Sequence, residues 1–201
     1  MGGLLNAIGL RKIVSVPCVV LAIFTVSSAA FGGAIVAEQQ KVEAFRRLGG
    51  ELGLSLQRSA TWKGFAYVSD FDRLANLTKD NVDLCLDYIG NPERTRFERY
   101  VAGFSAYKLD ISAYAMFIRR ILDLHARGII PIDEVERIFS PTAAIPNVIH
   151  DNYDRPEIQS LIKTLLSLPD LDDGTRKWLI FETDHGGYYA RFIAWLHYIN
   201  R

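Results

Sequence analysis

Cysteine and net charge are both scarce in this chain, and each scarcity removes a class of chemistry. Only two cysteines occur in 201 residues. Cys18 sits in an apolar run and Cys85 in an amphipathic pattern, so they build no disulfide framework. No CxxC and no Cys/His metal spacing is present. Two isolated thiols fit a reducing compartment. Lys and Arg together number 23, as do Asp and Glu, and the formal net charge is zero. That balance gives no basic face for nucleic acid, so no nucleic-acid partner is expected. HExxH and GxxxxGK[ST] are absent, and Ser55, Ser59 and Ser105 have no GxSxG context. No repeat and no low-complexity tract appears. No catalytic residue and no cofactor is therefore predicted from motifs.

One feature stands out against these absences. From Ile13 to Ala37 the chain reads IVSVPCVVLAIFTVSSAAFGGAIVA, without Asp, Glu, Lys, Arg, His, Asn or Gln. A bilayer core about 30 Å thick needs roughly 20 apolar residues in helical form. The run meets that length, which predicts a single-pass transmembrane helix and a lipid bilayer as partner. A cleaved signal peptide is the competing reading, with Arg11 and Lys12 as its basic region and Ser28-Ala29-Ala30 as a cleavage site. The run exceeds the usual 7–15 residues of a signal's apolar core, which favours a retained span. Ser28, Ala29, Gly32, Gly33 and Ala37 recur at four-residue steps. Small residues so placed let a second membrane helix approach, either another copy or a protein partner. Lys41, Arg46, Arg47, Arg58 and Lys63 outnumber Arg11 and Lys12, which places the C-terminal domain on the cytoplasmic side.

The division that follows is a leader over 1–12, a transmembrane helix over 13–37, a juxtamembrane helix over 38–50 closed by Gly49-Gly50, and a helical domain over 51–201. Within the last, three- and four-residue apolar spacing predicts a helix from Thr61 to Leu77. Thr78 is read as the cap of a helix ending at Gly90, and Pro92 as the first residue of the next. Asp110 caps the strongest helix, which carries Tyr114, Phe117, Ile118, Ile121 and Leu122 and closes at Gly128. His125 within it is read as packing or capping locally. Ile132–Phe139 is a short helix with acids in its first turns. Ala143–Tyr153 is helical around Pro146, and Pro156 opens a helix that ends before Pro169. Asp170 to Gly174 is a turn in which Asp172 or Asp173 caps the next helix. It lacks the final glutamate and the alternating oxygens of a calcium loop. Trp178–Phe181 is the one strand-like run. Tyr188–Ile199 is a closing aromatic helix. The expected fold is all-α: one N-terminal transmembrane helix and a compact bundle of short helices.

The order of these features resembles a group of uncharacterised bacterial single-span membrane proteins. The resembling segments are SAYAMFIRRILDLHARGIIPIDEVERIF, from Ser112 to Phe139, and YARFIAWLHYI, from Tyr189 to Ile199. The helix after the acidic one holds Ile149 and His150 where such proteins carry a tryptophan. The resemblance implies architecture and no activity.

Two functional readings follow. In the first, the chain is a membrane-anchored interaction or scaffold module without catalysis, an accessory subunit of a membrane complex or a self-assembling one. Tyr188, Tyr189, Phe192 and Trp195 are its candidate partner surface. In the second, His150, Asp154, Glu182 and His185 converge from facing helices as the metal site of a hydrolase-like enzyme. The plainer reading of His185 is a cation at a helix C-terminus before Gly186-Gly187. That of Asn76-Leu77-Thr78, a glycosylation sequon, is chance.

Overall fold

Apolar residues at Phe45, Leu48, Leu52 and Leu56, three and four positions apart, make one buried stripe along the second part of helix α1 (Pro17–Arg58). The computed structural model describes residues 17–58, 69–140 and 146–185, with side chains over 34–58, 69–140 and 146–183. The chain divides into two units, Met1–Lys41 and Val42–Arg201. In the first, α1 exposes Ile35, Val36 and Ala37, and Lys41 lies 3.9 Å from Glu38. Among the described residues no helix is long and apolar enough to cross a membrane. Most of Ile13–Ala37 lies outside the residues whose side chains are described, as do Ser28, Ala29, Gly32 and Gly33 of the small-residue face.

The second unit is all-helical. Its part of α1 is followed by α2 (Ser69–Asp80), α3 (Val82–Ile89), α4 (Arg96–Phe104), a 3-10 turn (Ser105–Lys108), α5 (Ile111–Ala126), α6 (Ile132–Phe139), α7 (Val148–Asp151), α8 (Pro156–Leu166) and α9 (Asp173–His185). No strand occurs among the described residues. Helix α5 is the central element. Tyr114, Ala115, Phe117, Ile118, Ile121, Leu122 and Leu124 are all buried, and the helix packs on α3, α6 and α8. Asp110 caps it by accepting from the Ala113 N–H at 2.8 Å. Gly128 ends it at φ +71°, a left-handed conformation that glycine adopts without a Cβ penalty. Ile158, Leu161, Ile162 and Leu165 of α8 are buried on the same core, as is Leu179 of α9.

Several sequence expectations change. Gly49-Gly50 does not stop a helix, because α1 runs on to Arg58. A Cβ at Gly49 would lie 2.8 Å from Tyr88 Oη, and one at Gly53 2.8 Å from Glu98 Cα. The glycines are there for close packing on α3 and α4, so the boundary of the juxtamembrane helix at residue 50 falls inside a continuous element. Thr78 does not cap α3. It lies inside α2, fully buried, with its hydroxyl bonded to that of Ser105. Asn81 is the cap, accepting from the Leu84 N–H at 3.0 Å. Pro92 does not begin a helix. Helix α4 starts at Arg96 behind a capping box in which Thr95 accepts from Glu98 N–H and Glu98 accepts from Thr95 N–H. The strand-like Trp178–Phe181 is helical within α9, whose first turn is held by Asp172 accepting from Thr175 N–H.

Candidate functional site

The sequence-predicted metal set is half assembled. Helix α7 is a single turn, held by Asn147, whose side-chain oxygen accepts from the backbone N–H of Ile149 and of His150. That turn aims His150 at α9. His150 Nδ1 stands 3.0 Å from both carboxylate oxygens of Glu182. Glu182 is 4% exposed, a buried acid whose partner is the more open imidazole. Asp154 does not join them. No three His, Cys, Asp or Glu residues among the described ones stand close enough to hold a metal ion. The side chain of His185 lies outside the described residues. A zinc site takes three or four protein ligands, and among the described side chains of the set only two donors meet. What His150 and Glu182 do by their geometry is tie α7 to α9.

A larger polar assembly has no local signature in the sequence. Arg99 of α4 meets Glu134 of α6 through two bonds, Nε to Oε2 at 2.5 Å and Nη2 to Oε1 at 2.7 Å. Its Nη1 donates to the carbonyl of Arg94. Both side chains are largely buried. The Glu134 bond comes first among the causes that raise the Arg99 pKa above its ordinary value. The acids of α6 fall in its first turn, where they complement the helix dipole, and Glu134 is in addition half of a bidentate pair.

The surface around α3 carries the second assembly. Tyr88 donates to Glu98 Oε1 at 2.9 Å, Arg94 reaches the same oxygen at 3.3 Å, and the Arg94 guanidinium lies 4.6 Å above the Tyr88 ring. Arg94 Nε, buried with no hydrogen-bond acceptor, is accommodated over that π face. Burial pulls the Glu98 carboxyl upward. The Thr95 N–H, the Tyr88 hydroxyl and the Arg94 guanidinium outweigh it, and the group titrates below the usual carboxylate range. Burial raises the Tyr88 hydroxyl. Phe45 of α1 packs edge-on against Tyr88 at 5.4 Å. The glutamate that caps α4 therefore also fixes α3, on the side where α1 packs.

Grooves flank α3. One of about 540 Å³ lies towards α5, between Asp87, Arg120, Asp123 and Arg127. A smaller cleft of about 170 Å³ lies towards α1. His125 is fixed at both ring nitrogens, Nδ1 donating to the Ile130 carbonyl at 3.1 Å and Nε2 standing 2.9 Å from Asp170 Oδ2. The bond to Ile130 is the local role read from the sequence, and the reach to Asp170, which ties α5 to the turn before α9, goes beyond it. Cys85 is fully buried, with its thiol towards the Ala102 carbonyl, and burial pushes it up to about 12. It is no nucleophile. Tyr100, Phe104, Tyr114 and Phe117 are core residues rather than a spare aromatic surface. Tyr188, Tyr189, Phe192 and Trp195 lie outside the described residues. Comparison with known protein families, characterised proteins and solved structures finds no match.

Proposed function

We propose that the chain is a membrane-tethered helical interaction module, held by a single span over Ile13–Ala37 and working through association rather than catalysis. The observation that carries this reading is the uncharged run itself, long enough for a bilayer core. Ile35 and Val36, exposed at 50% and 52%, support it at the end of the run. The helical body supports the second half of the reading. Its polar side chains are spent on positioning: His150 on Glu182, His125 on Asp170, Arg99 on Glu134. Its grooves are lined by mixed charges rather than by converging donors.

The small residues Ser28, Ala29, Gly32, Gly33 and Ala37 are the proposed contact for a second copy or a partner's membrane helix. Light scattering of the full chain in mild detergent tests this. The expected protein mass exceeds the 22.6 kDa of one chain. Gly32→Leu with Gly33→Leu, which keeps the run apolar but bulky, returns it to one chain. A wild-type monomer that retains no protein from its membrane contradicts the association.

A further inference from the structure

The cleft between α1 and α3 combines charges of both signs in one small space. Val42 and Arg46 of α1 form one wall; Asp87 and Tyr88 of α3, with Asn91 and Arg94 beyond it, form the other. Arg46 and Asp87 are exposed, and neither has an ion-pair partner among the described residues. Asn91 accepts from the Glu93 N–H through Oδ1, which leaves its Nδ2 amide available as a donor. Arg94 divides its charge between Glu98 and the Tyr88 ring. A simple anion in this cleft meets Arg46 and Asn91 but also the Asp87 carboxylate. A simple cation meets Asp87 but also two guanidinium groups. A group bearing a phosphate and a primary ammonium a few bonds apart satisfies both walls.

The place of the cleft in the chain says where such a group comes from. Val42 follows Ala37, the last residue of the apolar run, by five residues. Even a fully extended chain spans no more than about 18 Å over that distance. The polar layer outside the hydrocarbon is itself about 5–8 Å deep on each side. If the run crosses the bilayer, Val42 of the cleft wall follows its last residue by a stretch of chain short enough to end among the headgroups.

We propose that this cleft receives a lipid headgroup carrying a phosphate and a primary ammonium, the phosphate on Arg46 and Asn91 with Arg94 behind them, the ammonium on Asp87. The assignment to a lipid rests on the membrane-tether reading; the charge pattern does not. A trimethylated headgroup offers Asp87 no N–H, and the Tyr88 face that would take a quaternary cation is covered by Arg94. The site therefore discriminates ethanolamine from choline headgroups.

The test is titration of the full chain, in detergent micelles, with dihexanoyl phosphatidylethanolamine, the choline and glycerol equivalents, and water-soluble glycerophosphoethanolamine. Calorimetry or native mass spectrometry reads the binding. The ethanolamine lipid is expected to bind about tenfold more tightly than either other lipid, the affinity equivalent of one charge-assisted hydrogen bond. Arg46→Gln weakens all three lipids, and Asp87→Asn removes the preference for ethanolamine over choline. Both residues are exposed, so each variant keeps its fold, as an unchanged thermal melt confirms. Equal binding of the three lipids, or a preference that survives Asp87→Asn, overturns the proposal. Tighter binding of glycerophosphoethanolamine than of the lipid overturns the lipid assignment and leaves a soluble amino-phosphate as ligand. A chain washed from membranes that still prefers ethanolamine removes the tether and not the cleft. A chain that resists the wash and shows no preference removes the cleft and not the tether.

Discussion

At the residue scale, the strongest commitments of this chain are buried charges met by matched partners. Arg99 and Glu134 exchange two bonds in a largely buried crossing of α4 and α6. Removing one member strands the other without water. Arg99→Met or Glu134→Gln alone is expected to cost about 3–5 kcal/mol, read as a shift in the urea midpoint. Arg99→Met with Glu134→Leu together comes back close to neutral, because no charge is left uncompensated. Additive losses in the double variant would contradict that account. Cys85 gives a second residue-scale test. Its thiol is buried and shifted up to about 12, so iodoacetamide at pH 8 leaves the Cys85 peptide unmodified until urea is added. Labelling in the folded state would mean the thiol is not enclosed. Of these features, the sequence displayed Asp110 as a cap and the local bond of His125, but not the reach of His125 to Asp170. It did not display Arg99 with Glu134, because residues 35 positions apart carry no pattern that says they meet.

At the element scale, glycine in α1 shows why the same residue reads two ways. Gly49-Gly50 has the composition of a helix stop, and propensity supports that reading. Tertiary packing overrides it. Gly53 faces backbone atoms of Glu98 at 2.8–2.9 Å from a notional Cβ, whereas at Gly50 the nearest atom is 3.8 Å away. Gly53→Ala is expected to destabilise by about 1–3 kcal/mol through overpacking. Gly50→Ala is expected to stabilise by up to about 1 kcal/mol, the ordinary helix preference of alanine over glycine. Thermal unfolding of the two variants separates them, and the same sign for both would refute close packing as the cause. The helices with strong periodicity, α5, α6 and α8, were legible because burial alone shapes them. The start of α4 carries two competing signals. Thr95 and Glu98 form a capping box three residues after Pro92, and the box rather than the proline sets where the helix begins. Trp178–Phe181 was ambiguous because four apolar residues carry no period, and the cap at Asp172 decides for helix.

At the scale of the whole molecule, an all-helical body follows directly from the spacing of apolar residues, while the proposed metal set is not gathered among the described side chains, which leave out that of His185. His150 and Glu182 do meet, and Asp154, two residues before α8 begins, is not placed beside them. Side-chain convergence across helices depends on crossing geometry that no local spacing encodes. The tether rests on the apolar run. The measurement that tests it most directly is an alkaline carbonate wash of membranes containing the full chain, followed by immunoblotting of pellet and supernatant. The account predicts that the full chain stays in the pellet and that deletion of residues 13–37 moves it to the supernatant. A full-length chain released by the wash would contradict the tether.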